Sequence, residues 1–279
     1  MKNKERLEDF SPKELPETRW ALFWDLLFHQ SGTLISTSLL LALFALPLFS
    51  DYFVFSFLGS SLQASGGAKE GLFSLVFYGT AIALPCFMVL FLGLSGASEV
   101  TKRLSFLEGT LGVASFFEGL KKNWRSGLLT GLLYGLSFGL ALLGCLYLLL
   151  FQGALPVLTG LGIGLLLFQF IIVNSLCHYL LSQEALYLNS FGATLKNAFI
   201  FAHIKLPLNF VWSLLSPGLV IALFLINSVT SYVGIGLYVL FSAYGLLVWT
   251  LYANAVYDRH INATYYPELM GKGLHKKEG

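Results

Sequence analysis

Charged residues are scarce in this sequence. Of its 279 residues only 11% are Asp, Glu, Lys or Arg, whereas 56% are hydrophobic. Soluble proteins carry about 25% charged residues, so the composition excludes a soluble fold of this length. The formal net charge of only +2 predicts no broad basic surface, and we therefore expect no nucleic-acid partner.

Cysteine is also rare, and its placement excludes two kinds of site. The three cysteines, Cys86, Cys145 and Cys177, all lie inside apolar stretches. An odd number of cysteines in such places argues against a disulfide framework, and no Cys/His spacing of a metal site is present. We expect neither a bound metal nor a cofactor.

The chain lacks the residue groups that enzymes use within membranes. Such enzymes need a pair of aspartates, a Ser/His pair or an HExxH-like metal site at membrane depth. This sequence offers no such carboxylate, and its five histidines are scattered. The sequence therefore predicts a protein that is not an enzyme.

The sequence contains several long apolar stretches with few charged residues. A bilayer core of about 30 Å needs roughly 20 apolar residues per helix, and we predict six such spans. They lie near residues 32–49, 71–93, 127–151, 157–181, 206–227 and 232–254. Because the later links are very short, consecutive spans must form antiparallel hairpins. We predict an all-α integral membrane protein with three hairpins, in a single membrane domain over residues 1–279.

The basic residues are sorted to one side of these spans. Sixteen of the seventeen lie in residues 1–19, in the alternate linkers or in residues 255–279, and only Lys69 lies on the other side. Because basic residues collect on the cytoplasmic side, we predict a multi-pass protein of the cell membrane with both termini in the cytoplasm. Residues 1–19 are then a polar cytoplasmic N-terminus, residues 20–254 the membrane region, and residues 255–279 a cytoplasmic tail.

Each odd-numbered span is preceded by a short segment with helical spacing of apolar residues. These residues are Trp20, Phe23, Trp24 and Leu27; then Val113, Phe116, Phe117 and Leu120; then Phe191, Leu195, Ala198, Phe199 and Ala202. The pattern predicts three amphipathic helices that lie on the cytoplasmic face of the membrane. Phe117, Lys122 and Asn123 also match Phe191, Lys196 and Asn197 at one fixed offset, which indicates a repeated unit or a coincidence in an apolar sequence.

The second of these segments is the candidate surface for docking a partner. It combines aromatic and basic side chains over a short distance, which suits a protein partner at the membrane surface. The candidate docking residues are Phe116, Phe117, Lys121, Lys122, Asn123 and Arg125.

Glycines recur at every fourth position of the third span, at Gly127, Gly131, Gly135 and Gly139. Small residues at this spacing form a shallow groove in which another helix can approach closely. We interpret them as an internal helix-packing surface, with a dimer face or a gap for a ligand as the alternatives.

Neutral polar residues within the spans are the remaining candidates for a site. Asn174 and His178 are one helical turn apart on the fourth span, and Asn209 and Ser213 lie on the fifth. They either form hydrogen bonds between helices or line a polar cavity. Pro85 and Pro217 would bend the second and fifth spans, which can also shape a cavity.

The external connector, residues 50–70, is long and contains several aromatic residues before a Ser/Gly-rich stretch. We expect it to dip into the membrane or to cover the surface as a lid.

One stretch of the chain resembles a known family. Residues 93–131 resemble the region of the YesL-like family of bacterial multi-pass proteins in which a span, a basic helix, an acidic turn and a Phe-containing amphipathic helix follow one another. The residues that match these places are Gly93, Ala97, Lys102, Arg103, Glu108, Phe116, Phe117, Lys121, Lys122 and Asn123. Gly96 departs from the family pattern, which usually has proline there.

The resemblance implies a domain of unknown biochemical function that is often encoded beside carbohydrate-uptake systems. It implies no catalytic residue. We therefore expect an accessory or regulatory partner of an ABC-type sugar transporter or of a sensor protein, embedded in membrane lipids. The alternative is a small-solute or lipid transporter with a cavity between the second, fourth and fifth spans. The oligomeric state does not follow from the sequence.

Overall fold

The computed structural model describes residues 15–151, 156–187, 189–213 and 228–275, and every regular element within these ranges is helical. The helices are α1 Arg19–His29, α2 Ser31–Ala64, α3 Lys69–Ser105, α4 Val113–Phe151, α5 Pro156–Leu186, α6 Phe191–Ile204, α7 Leu206–Ser213, α8 Ser228–Tyr257 and α9 Ala263–Tyr265. The π-helical turn Asp258–Asn262 joins the last two.

Among the described residues, five helical stretches are long and apolar enough to cross a membrane: α2, α3, α4, α5 and Thr230–Tyr265. Their outward faces expose large apolar side chains, such as Leu43, Leu140 and Leu165. Soluble monomers rarely expose contiguous apolar surface on this scale, so these faces indicate a multi-pass membrane protein. Of the predicted span 206–227, only α7 falls within the described residues; the rest of it, with Pro217, lies outside them.

Several helices continue beyond the predicted spans. The prediction that residues 50–70 form a dipping connector or lid is wrong, because α2 remains helical to Ala64. Likewise, the second predicted span ends at residue 93, but α3 remains helical to Ser105. A helix of 34 residues is about 51 Å long, well above the roughly 30 Å of a bilayer core. Polar residues mark the end of an apolar stretch, but they do not end a helix.

The three predicted amphipathic segments coincide with helical segments, and each meets the next helix at a one-residue break. The break residues are Gln30, Asn123 and Lys205, with φ/ψ of −119°/19°, −113°/17° and −115°/30°. The same junction is therefore built three times. The sequence offset that aligned Asn123 with Asn197 is wrong, because Asn197 lies inside α6 and the equivalent junction is Lys205.

Helix α3 lies at the centre of the bundle and contacts α2, α4, α5 and α8, while α8 also packs against α2. Its residues 95–101 are all buried, so neighbours surround this part of the helix. Two apolar clusters fill the interior. One includes Phe87, Tyr179 and Trp249, and the other joins Leu22 of α1 to Phe116 of α4.

Candidate functional site

The charged end of the bundle, here called the charged rim, consists of residues 15–30, 99–125, 189–205 and 258–275. Long-range polar contacts connect its parts. Arg19 at the start of α1 pairs with Asp258 at 2.8 Å, and Lys272 pairs with Glu108 at 2.7 Å. The backbone N–H of His275 donates to the carbonyl of Pro16 at 3.0 Å. The two described ends of the chain are thus joined to each other within the rim, and residues 258–275 also contact its residues 99–125.

A buried carboxylate connects α3 to α4 within the charged rim. The side chain of Glu99 is only 3% exposed, and its Oε1 accepts hydrogen bonds from Lys102 Nζ at 2.8 Å and Arg103 Nε at 3.1 Å. From α4, Lys122 Nζ lies 3.7 Å from Glu99 Oε2. Arg103 also pairs with Glu118 at 2.7 Å. Cations from both helices therefore compensate one buried charge, which fixes the start of α4 against α3.

This approach of the two helices depends on glycine. A Cβ at Gly119 would overlap the Cβ of Glu99, and a Cβ at Gly96 would lie 2.7 Å from the carbonyl oxygen of Phe116. Our sequence reasoning missed Glu99 because it ended the span at residue 93 and assigned Glu99 to a linker. The signal was present, since Glu99, Lys102 and Arg103 have the i, i+3, i+4 spacing of helical ion pairs.

The candidate docking residues separate into two groups. Phe116 is fully buried against the bundle, and Asn123 is buried at the break between the two parts of α4. Phe117, Lys121, Lys122 and Arg125 are exposed. Only these four can contribute to a docking surface, and Lys122 already forms an ion pair with Glu99.

The glycines of the third span face α3. A Cβ atom added to any of the four glycines would lie close to an atom of α3. At Gly127 it would be 3.1 Å from the Phe91 oxygen, and at Gly131 it would be 2.7 Å from Met88 Cα. At Gly135 and Gly139 it would be 2.7 Å from Leu84 Cδ1 and from Thr80 Cγ2, respectively. The whole stripe is therefore occupied within the chain itself, as an internal contact between α3 and α4.

The candidate cavity-lining residues, Asn174, His178, Asn209 and Ser213, are all buried. Asn209 uses its full hydrogen-bonding capacity within the protein. Its Nδ2 donates to the carbonyls of Phe201 and Ala202 at 2.9 and 3.0 Å, and its Oδ1 accepts from Tyr179 and Tyr252 at 2.9 and 2.7 Å. An amide offers two donors and two acceptor positions, so Asn209 has none left for a solute.

Two of the other three candidates also have partners of their own. Ser213 shares a hydrogen bond with Ser175 at 3.1 Å, and His178 Nδ1 lies 2.8 Å from the carbonyl of Asn174. The Oδ1 of Asn174 is buried without a hydrogen bond among the described residues. Apart from the Oδ1 of Asn174, these side chains form hydrogen bonds within α5 or between α5, α6, α7 and α8 in the described part of the chain.

An open cleft is found elsewhere, at the charged rim. It lies between the α6 side of the bundle and the C-terminal segment and has a volume of about 490 Å³. Its walls are Asn189, Asn197, Ile200, Phe201, Ile204, His260, Ile261, Tyr265 and Tyr266. No local sequence pattern predicts this cleft, because its two walls are more than fifty residues apart in the chain.

Within the described ranges, no group of three His, Cys, Asp or Glu side chains is close enough to hold a metal ion. Comparisons with protein families, with curated proteins and with solved structures found no match to the chain.

Proposed function

We propose that the chain is a non-enzymatic six-span protein of the cell membrane that acts as an accessory or regulatory partner of a carbohydrate-uptake transporter of the ABC type. The observation that carries this proposal is the charged rim, a cross-linked surface at one end of an apolar bundle. The carbohydrate link rests on the resemblance of residues 93–131 to the YesL-like family, to which we propose the chain belongs. A sensor protein would suit the same surface.

Six spans with both termini in the cytoplasm are part of the proposal. Five apolar helical stretches and the apolar residues 206–227 would supply the spans. The recurring break at Gln30, Asn123 and Lys205 supports a repeat in which a helix on the membrane surface precedes each outgoing span. The sorting of sixteen of seventeen basic residues supports the orientation.

Reporter fusions test this topology. Green fluorescent protein fused after Gly279 should fluoresce, because the proposal places this end in the cytoplasm, where the reporter folds. Alkaline phosphatase inserted after Gly67 should be active, because the turn between α2 and α3 would face outwards. A dark C-terminal fusion, together with activity of alkaline phosphatase fused at the same position, would contradict the cytoplasmic C-terminus.

The exposed part of the first half of α4 would be the docking surface. Phe117 is 50% exposed, Trp124 is 45% exposed, and Arg125 stacks over the Trp124 ring at 5.1 Å. Exposed aromatic and arginine side chains are enriched among residues that dominate binding energy at interfaces. The ion pairs around Glu99 would hold this surface in place before a partner arrives, which lowers the cost of binding.

Charge reversal at Lys121 and Arg125 should weaken the complex. We expect the double variant Lys121→Glu, Arg125→Glu to recover at least about tenfold less of the transporter or sensor subunit in pull-downs from mild detergent. Lys122 is left unchanged because it pairs with Glu99, so a substitution there would alter the stability of the fold as well as the binding of a partner. The matched control is Lys69→Glu at the opposite end. Equal recovery with the double variant, the control and the unaltered protein would contradict the docking surface.

The alternative function, a small-solute or lipid transporter, has weaker support. It requires Asn174, His178, Asn209 and Ser213 to face a shared cavity, whereas Asn209 is saturated and Ser213 is bonded to Ser175. We therefore place the accessory role first.

A further inference from the structure

The cleft at the charged rim combines two chemical characters. On one wall, Ile200 and Ile204 of α6 are 41% and 53% exposed, so the apolar lining continues onto the outer surface of the bundle. On the other side, His260 lines the cleft. Two cations adjoin lining residues in the chain: Lys205 directly follows Ile204, and Arg259 directly precedes His260. Amide side chains of Asn189 and Asn197 add hydrogen-bond donors.

The positive charge beside this cleft is not neutralised by the described part of the chain. None of the nine lining residues is acidic. None of the ion pairs between described residues includes Lys205, Arg259 or His260. The nearest acid in sequence, Asp258, is held by Arg19 at 2.8 Å and by Asn262 Nδ2 at 2.8 Å.

An anion with an attached apolar group would satisfy both characters. Cations beside a membrane surface attract anionic lipids, and basic pockets between membrane helices bind their phosphate-containing headgroups. A volume of about 490 Å³ suits a small headgroup, and exposed Ile200 and Ile204 offer a path for acyl chains towards the bilayer. Tyr265 and Tyr266 also line the cleft, and a tyrosine side chain combines an apolar ring with a polar hydroxyl group.

We infer that this cleft binds the headgroup of an anionic phospholipid, with Lys205 and Arg259 as its cationic partners and the α6 isoleucines against its acyl chains. The inference requires the chain to lie in a membrane. It does not depend on the carbohydrate-uptake role or on a docked protein.

Lipid titration of the purified, delipidated full-length protein tests the inference. Native mass spectrometry would follow the binding of phosphatidylglycerol and of phosphatidylcholine with the same acyl chains. We expect tighter binding of phosphatidylglycerol. Each cation near an anionic surface contributes about 1 kcal/mol, or about fivefold in affinity. The affinity of the double variant Lys205→Gln, Arg259→Gln for phosphatidylglycerol should therefore fall at least about tenfold, whereas its affinity for phosphatidylcholine should change little.

Two controls make the result decisive. Lys121→Gln removes an exposed cation at the same end of the bundle but outside the cleft, and should leave phosphatidylglycerol binding unchanged. Arg259→Gln alone changes an exposed side chain and should keep the fold while weakening binding about fivefold. Equal affinity for the two lipids, or an equal loss with Lys121→Gln, would overturn the inference. Inorganic phosphate that binds alone and displaces the lipid at millimolar concentration would assign the cleft to a free phosphate group instead.

Discussion

Replacing Glu99 by glutamine should destabilise the protein by about 2–3 kcal/mol. Removing one partner from a buried ion pair costs about 3–5 kcal/mol because the remaining charge is left uncompensated. We expect less here because the three cations stay partly exposed, with Lys102, Arg103 and Lys122 at 17%, 23% and 40%. Glutamine keeps the size of the side chain, so a loss of stability would reflect the missing charge rather than a cavity. Reversible unfolding in mixed detergent micelles measures it.

Glu118→Gln is the matched control for this prediction. Glu118 also pairs with Arg103, at 2.7 Å, but its side chain is 60% exposed. Exposed ion pairs contribute about 0–1 kcal/mol, so this variant should remain close to the unaltered protein. If Glu99→Gln were no more destabilising than Glu118→Gln, Glu99 would not be the charge that holds α4 against α3.

The places of the five apolar helices found among the described residues could be predicted because bilayer thickness imposes a length on each span. Helix ends could not be predicted in the same way. The last turns of α3 contain Glu99, Lys102 and Arg103, and their low hydropathy predicts a loop. These residues nevertheless support a helix through their i, i+3 and i+4 ion pairs. Hydropathy reports where a helix leaves the membrane, not where it stops.

Burial at the candidate sites also depended on partners that are distant in sequence. Phe116 has the helical spacing of a membrane-facing residue, yet it is buried because Gly96 on α3 lets its backbone approach. Asn209 has the polarity of a cavity-lining residue, but Tyr179 and Tyr252, from two other helices, donate hydrogen bonds to its side-chain oxygen. A single sequence shows which side chains are polar, but not which of them already have a partner.

Within the glycine stripe of α4, a strong steric effect is expected at Gly131. The Cβ of alanine at this position would lie 2.7 Å from Met88 Cα and 2.8 Å from the Phe87 carbonyl oxygen. Because both are backbone atoms, the clash can be relieved only if α3 and α4 move apart. Overpacking of this kind costs about 1–3 kcal/mol, and we expect Gly131→Ala to fall at the upper end of that range in the same unfolding measurement, with Gly131→Leu lower still in stability.

Gly164→Ala provides the comparison, because a methyl group added there would meet nothing within 4 Å. Alanine is a better helix former than glycine, so this variant should be neutral or more stable by up to about 1 kcal/mol. The variants Gly131→Ala and Gly164→Ala also decide whether the glycine stripe serves packing within the chain or an interface between two copies of it. If the stripe served an interface between two copies of the chain, Gly131→Ala would change the oligomeric state measured by light scattering and leave the stability of the single chain intact. Since α3 already fills the stripe, we expect the reverse: an unchanged oligomeric state and a less stable chain.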